Sequence, residues 1–138
     1  MKVTGEKRAH NVQQAKNVVS NRTKEFTEYI SRCLDDDDFV DAMNDLLPFD
    51  KCLLSKMNIE DDASIVKSMG LSIMRMEPES PLFSLGISIE IAGDAENKAV
   101  TSTIFMFACR TLEDLRKAVK CENFEMKVWE NLGMLIDE

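Results

Sequence analysis

Phe83-Ser84-Leu85-Gly86-Ile87-Ser88-Ile89-Glu90-Ile91 alternates apolar with small or polar residues along its whole length. Successive side chains of a strand point to opposite faces. Phe83, Leu85, Ile87, Ile89 and Ile91 are therefore expected on one buried face, with Ser84, Gly86, Ser88 and Glu90 on the other. Glycine inside a strand marks a bulge or a close approach by another backbone, so Gly86 is singled out.

Outward from this strand the pattern predicts a three-stranded antiparallel meander over 71–76, 82–92 and 98–109. Pro78 and Pro81 cannot continue a ladder and mark the first connection. Gly93-Asp94-Ala95-Glu96-Asn97 is a loop of hairpin length. Ile104-Phe105-Met106-Phe107-Ala108 is apolar on both faces, which predicts a stretch covered on both sides or lying at the sheet centre. Thr111-Leu112-Glu113-Asp114 then resembles a capping box and opens a helix carrying Leu115, Ala118 and Val119. A last helix carries Phe124, Val128, Trp129, Leu132, Leu135 and Ile136.

Upstream, the spacing predicts helices. Val12, Ala15, Val19, Phe26, Tyr29 and Cys33 follow a three-four pattern, with Arg22 in the one polar slot. Such a stripe serves either a coiled coil or docking on the chain's own domain. Asp35-Asp36-Asp37-Asp38 breaks this helix and caps the next, which carries Phe39, Val40, Met43, Leu46 and Leu47 up to Pro48. A short helix with Leu53, Leu54 and Met57 is expected after Asp50. Another, with Ile65, Val66 and Met69, is expected to start at Glu60-Asp61-Asp62 and close at Gly70. The fold class is thus α+β: a flexible basic leader over 1–10, then a single domain over 11–138 with a helical N-terminal half, the meander and two C-terminal helices.

With 138 residues, 44% of them hydrophobic, the chain can bury a core without staples. Cys33, Cys52, Cys109 and Cys121 match no zinc or CxxC spacing and are read as reduced thiols placed in the core. The first dozen residues hold no apolar stretch, and the longest unbroken apolar run, Ile104–Cys109, is too short to cross a bilayer. A cytoplasmic location and no membrane contact are the expectation.

Charge is uneven. Residues 1–24 hold six basic side chains and one acidic, so +5. The other 114 residues hold 11 basic and 24 acidic, so −13, which returns the overall −8. The body therefore disfavours nucleic acid, and a nucleic-acid contact is expected only through Lys7, Arg8, Lys16, Arg22 and Lys24.

Chemistry-bearing patterns are sparse. The one histidine, His10, lies in the leader, where nothing holds a general base in place. No glycine-rich phosphate loop occurs. Four adjacent aspartates fail as a calcium loop: counted from Asp35, the sixth and twelfth positions are Val40 and Leu46, where glycine and glutamate are required. No catalytic, cofactor or metal site is therefore assigned. The expectation is a non-enzymatic accessory or adaptor protein acting through protein–protein contacts, with a homodimer as one form such contacts could take and Ser84, Gly86, Ser88 and Glu90 as the candidate contact surface. A different reading makes the acidic runs Asp35–Asp38, Glu60–Asp62 and Asp94/Glu96 a nucleic-acid mimic that inhibits a nucleic-acid enzyme.

Overall fold

The computed structural model describes residues 5–47, 53–60, 64–75, 83–92 and 100–137, with side chains of the first helix from Val12 onward and without that of Leu53. The elements run α1 (Gly5–Asp35), α2 (Asp37–Asn44), β1 (Leu53–Asn58), β2 (Val66–Arg75), β3 (Phe83–Ile91), β4 (Val100–Cys109), α3 (Leu112–Val119) and α4 (Phe124–Asp137). The four strands form an antiparallel meander in the order β1-β2-β3-β4. The α+β class, the antiparallel meander and the two C-terminal helices are as expected, and the sheet has one strand more.

Both segments expected to be helical are strand: the first forms the extra strand and the second lengthens an expected one. Residues 53–58 are β1, and the region around Val66 and Met69 is the first half of a ten-residue β2 that runs on through the expected strand. Leu53, Leu54 and Met57, like Ile65, Val66 and Met69, fit a helical face, but the same residues fit a strand once neighbours are available. Met69, Leu71 and Ile73 alternate without interruption across Gly70 and are fully buried. Gly70 is no helix terminus. It lies mid-strand opposite Ser88, where a Cβ would come within 2.3 Å of the serine Oγ.

The core lies between one face of this sheet and a helical layer. Register aligns Ile73 with Leu85 and Phe107, Leu71 with Ile87 and Ile104, and Met69 with Ile89. These columns need a cover, and the helices provide it: α1 packs on β2, while α4 packs on β3, β4 and α1. Phe124 meets Phe107 edge-on at 6.1 Å between ring centroids.

The stripe of α1 is spent inside the domain. Its buried positions are Ala15, Val19, Thr23, Phe26, Ile30 and Leu34, a drift of 3.6 residues per turn. A heptad seam would bury Arg22 in place of Thr23. Instead Arg22 turns aside to pair with Glu25 at 2.9 Å, and Thr23 Oγ1 donates to the Val19 carbonyl. The helix also starts earlier than expected, at Gly5 rather than Asn11, so the last six residues of the expected leader are helical.

Helix ends are tied down from elsewhere in the chain. Asp36 caps α2 by accepting from the amides of Asp38 and Phe39, as expected of the aspartate run. Arg116 donates to the Leu34 carbonyl at 2.7 Å, and Lys120 pairs with Asp35, so α3 secures the negative end of α1. Arg75 donates to the Leu46 carbonyl just past α2. Thr111 caps α3 through the Asp114 amide.

The expected placement of Ile104–Ala108 is overturned. β4 is an edge strand, and β2 and β3 take the centre. Phe105 is 40% exposed and Ala108 is exposed. A register shift at Leu85/Gly86 leaves Met106 as the extra residue of a β-bulge. Local sequence carries the two-sided apolarity but not the neighbour that would use it. Cys33 and Cys109 are half-buried, whereas Cys121 is exposed, against the expected core placement; Cys52 lies outside the described residues.

Tyr29 links α1 to the sheet edge through a hydrogen bond with Ser55, and Cys33 Sγ lies 3.8 Å from the same hydroxyl. Burial pushes the Tyr29 phenol above its ordinary value of 10.0. A raised phenol favours the folded state while neutral. Its contribution is complete below the unfolded pKa and is lost as pH climbs through the folded one. Tyr29 is the single tyrosine of the chain. Phenolate absorbance of the native protein is therefore expected to develop at higher pH than that of the urea-unfolded chain. Coincident titration curves would contradict the packing of Tyr29 against β1.

Candidate functional site

The helices take one face of the sheet. The other carries no packed helix among the described residues, and its side chains follow a simple rule. Cross-strand register sets Leu54, Ser72, Gly86 and Phe105 in one row. Lys56, Gly70, Ser88 and Thr103 form the next, and Asn58, Ser68, Glu90 and Thr101 the third. The outer strands thus carry the longer side chains and the inner strands mostly serine and glycine. The result is a trough with a floor on β2 and β3 and walls on β1 and β4. Its cavity of about 330 Å³ is bounded by Leu54 and Lys56 on one side and Thr101 and Thr103 on the other, with Ser68, Gly70, Ser88 and Glu90 between.

Each small residue makes room for a neighbour. Gly70 accommodates Ser88. Gly86 lies beneath the Phe105 ring: a Cβ there would sit 2.9 Å from two ring carbons and 2.8 Å from Ser72 Oγ. An aromatic ring laid across a facing glycine covers backbone that would otherwise be wet, and it explains why Gly86 sits opposite the bulge.

Polar groups on this face are partly provided for. Ser68 Oγ donates to Glu90 Oε1 at 3.3 Å. Ser72 is 1% exposed and its hydroxyl has no hydrogen-bond partner among the described residues. A buried hydroxyl without a partner costs roughly 1–3 kcal/mol. Lys56 and Glu90 put one cation and one anion on this face, on strands separated by β2.

Of the sequence-derived contact residues, Ser88 and Glu90 line the cavity, while Ser84 and Gly86 lie on the same face beyond it, both buried. Ser68 and Gly70 are absent from the sequence-derived candidates because their segment fits a helix up to Gly70, and Ser72 lies in the expected strand over 71–76 without being singled out. The walls are absent from those candidates because the β1 residues also fit a helix and the β4 pattern fits a strand covered on both sides. The signal was present in the small-residue alternation Ser68-x-Gly70-x-Ser72, which matches Ser84-x-Gly86-x-Ser88.

Of the basic candidates, three have described side chains. Lys16 pairs with Asp137 at 2.7 Å and Arg22 with Glu25, Lys24 is exposed, and the side chains of Lys7, Arg8 and His10 lie outside the described residues. In the acidic runs, Asp36 serves as a cap and Asp35 as an ion-pair partner, while Asp61, Asp62, Asp94 and Glu96 lie outside the described residues. No group of three or more His, Cys, Asp or Glu side chains placed to hold a metal ion occurs among the described residues. No described helix is long and apolar enough to cross a membrane. No family model, curated protein or solved structure matches the chain.

Gly86→Ala is expected to destabilise the protein by about 1–3 kcal/mol, the cost of overpacking, because ring and methyl compete for one space. In a Phe105→Ala background the same change should cost less by at least about 0.5 kcal/mol. Urea unfolding of the four proteins measures this coupling, and simple additivity would show that the ring does not rest on Gly86.

Proposed function

We propose that this chain is a non-catalytic protein-binding module that takes an extended segment of a partner protein into the trough on the open face of its sheet. The observation that carries the reading is the row pattern: a floor of serine and glycine between taller walls. Small floor residues let a foreign main chain come close, and serine hydroxyls can each donate and accept toward it. The walls stand three strand spacings apart, about 14 Å between backbones. Leu54, Lys56, Thr103 and Phe105 narrow that gap. What remains suits one extended chain better than a helix of about 10–12 Å diameter with its side chains.

Charge narrows the class of segment. Lys56 stands on the β1 wall and Glu90 on the floor at β3, so a segment with an acidic and a basic side chain spaced across the trough is matched. Binding through a small polar surface of this kind gives modest affinity, as expected of an adaptor that must release its partner.

A photo-crosslinking residue placed at Ser88 is expected to capture a protein partner in extracts of the source cells, and one placed at Glu130, exposed on α4, is not. Glu90→Lys is expected to leave stability within about 0.5–1 kcal/mol, as for a surface substitution, and to lower capture by roughly tenfold. Equal capture from both positions, or capture indifferent to Glu90→Lys, would remove the trough as the binding surface.

A further inference from the structure

β4 ends the sheet without the usual protection. Along Val100–Cys109 it carries no charged residue and no proline, and its side chains are mostly β-branched, aromatic or otherwise apolar. Among the described residues it is hydrogen-bonded to β3 alone, so its outer side presents unpaired amides and carbonyls. Natural edges are blunted by brevity, lysine or proline. The opposite edge, β1, shows both of the first two: six residues, with Lys56 among them. β4 shows neither, and Val100 and Phe105 are 61% and 40% exposed. A strand apolar on both faces belongs inside a sheet, and here it sits at the border.

We propose that β4 pairs antiparallel with β4 of a second copy of this chain, about a twofold axis through Thr103 normal to the sheet, so that two meanders join into one eight-stranded sheet. Parity restricts the register. An isologous pair keeps both helical layers on one side only when the axis passes through a residue, since directly opposite residues share a face. The bulge at Met106 ends regular pairing and leaves Val100–Phe105 as the usable window. Centred on Thr103, the window sets Thr103 against Thr103, Thr101 against Phe105 and Ser102 against Ile104. Threonine pairs and aromatic–β-branched pairs are favourable across strands, and no like charges meet. The strand is thus complementary to itself in the one window the bulge leaves open. This inference does not depend on what the trough holds, but it places the two troughs side by side, open to the same direction.

Sedimentation of the full-length chain at micromolar to near-millimolar concentration tests the pairing. The expected mass moves from one chain to two, with the weak affinity of an interface on the order of 1,200 Å² or less. Thr103→Lys sets two cations against each other and is expected to weaken association at least about tenfold. Thr101→Lys, which sets a lysine against Phe105 of the second copy, is expected to weaken association as well and serves should the first variant not fold. Hydrogen exchange on the wild-type chain needs no variant: protection is expected to rise with concentration at 100–105 and to stay constant at 53–58. A single-chain mass throughout, unaltered association in a folded lysine variant, or protection rising in β1 or α1 instead would overturn the proposal.

Discussion

Strand side chains must alternate between faces, and in β2 and β3 one of those faces is entirely committed. Met69, Leu71, Ile73, Leu85, Ile87 and Ile89 are at most 1% exposed beneath α1 and α4. Each buried aliphatic side chain contributes roughly 1.5–3 kcal/mol, and a register slip of one residue would turn a whole column to the wrong side. The serines and glycines between them are fixed by the same constraint. They have no freedom to be elsewhere, so the trough is the unavoidable reverse of the core. Its residues were selected against a different requirement, because helix packing does not reach them.

That reverse face shows a second kind of complementarity. Gly70 yields to Ser88 and Gly86 to Phe105, so close cross-strand packing continues on a surface with no helix over it among the described residues. A face meant only for solvent has no need of it. Long charged side chains would serve better, as they snorkel and tolerate neighbours. Among the rows that form the trough, charge is confined to Lys56 and Glu90 in a protein whose charged fraction is 30%. Scarcity of charge and small side chains are properties of a contact surface more than of a wet one.

The fold was legible wherever one residue pattern had one structural meaning. Alternation over Phe83–Ile91, the aspartate at Asp36 and the threonine at Thr111 each behave as read. It failed where a pattern served two meanings. Leu53, Leu54 and Met57 fit a helix turn or a strand with one face exposed, and only pairing with β2 decides between them. The α1 stripe was read at a 3.5-residue period through Arg22, while a straight helix against a sheet keeps 3.6 and buries Thr23. Half of the candidate surface was visible for the same reason. β3 was read correctly, and so Ser84, Gly86, Ser88 and Glu90 were placed on one face. The β2 half of the floor and both walls needed the register, which is a long-range property.

Ile104–Ala108 is where local pattern and global position disagree most. Consistency across levels is what a folded sequence ordinarily achieves, and departures concentrate where function is served. A two-faced apolar strand at a sheet border is such a departure. β1 shows that this chain can furnish an edge with Lys56, so the lack of any such device on β4 is a contrast within one molecule. The bulge at Met106 sharpens it. A bulge spoils pairing from the outside as well as the inside, yet it falls after Phe105 and leaves the six preceding residues regular. Were protection the purpose, the middle of the strand would be the place for the irregularity. Its position near one end preserves a window long enough to pair and short enough to stay reversible.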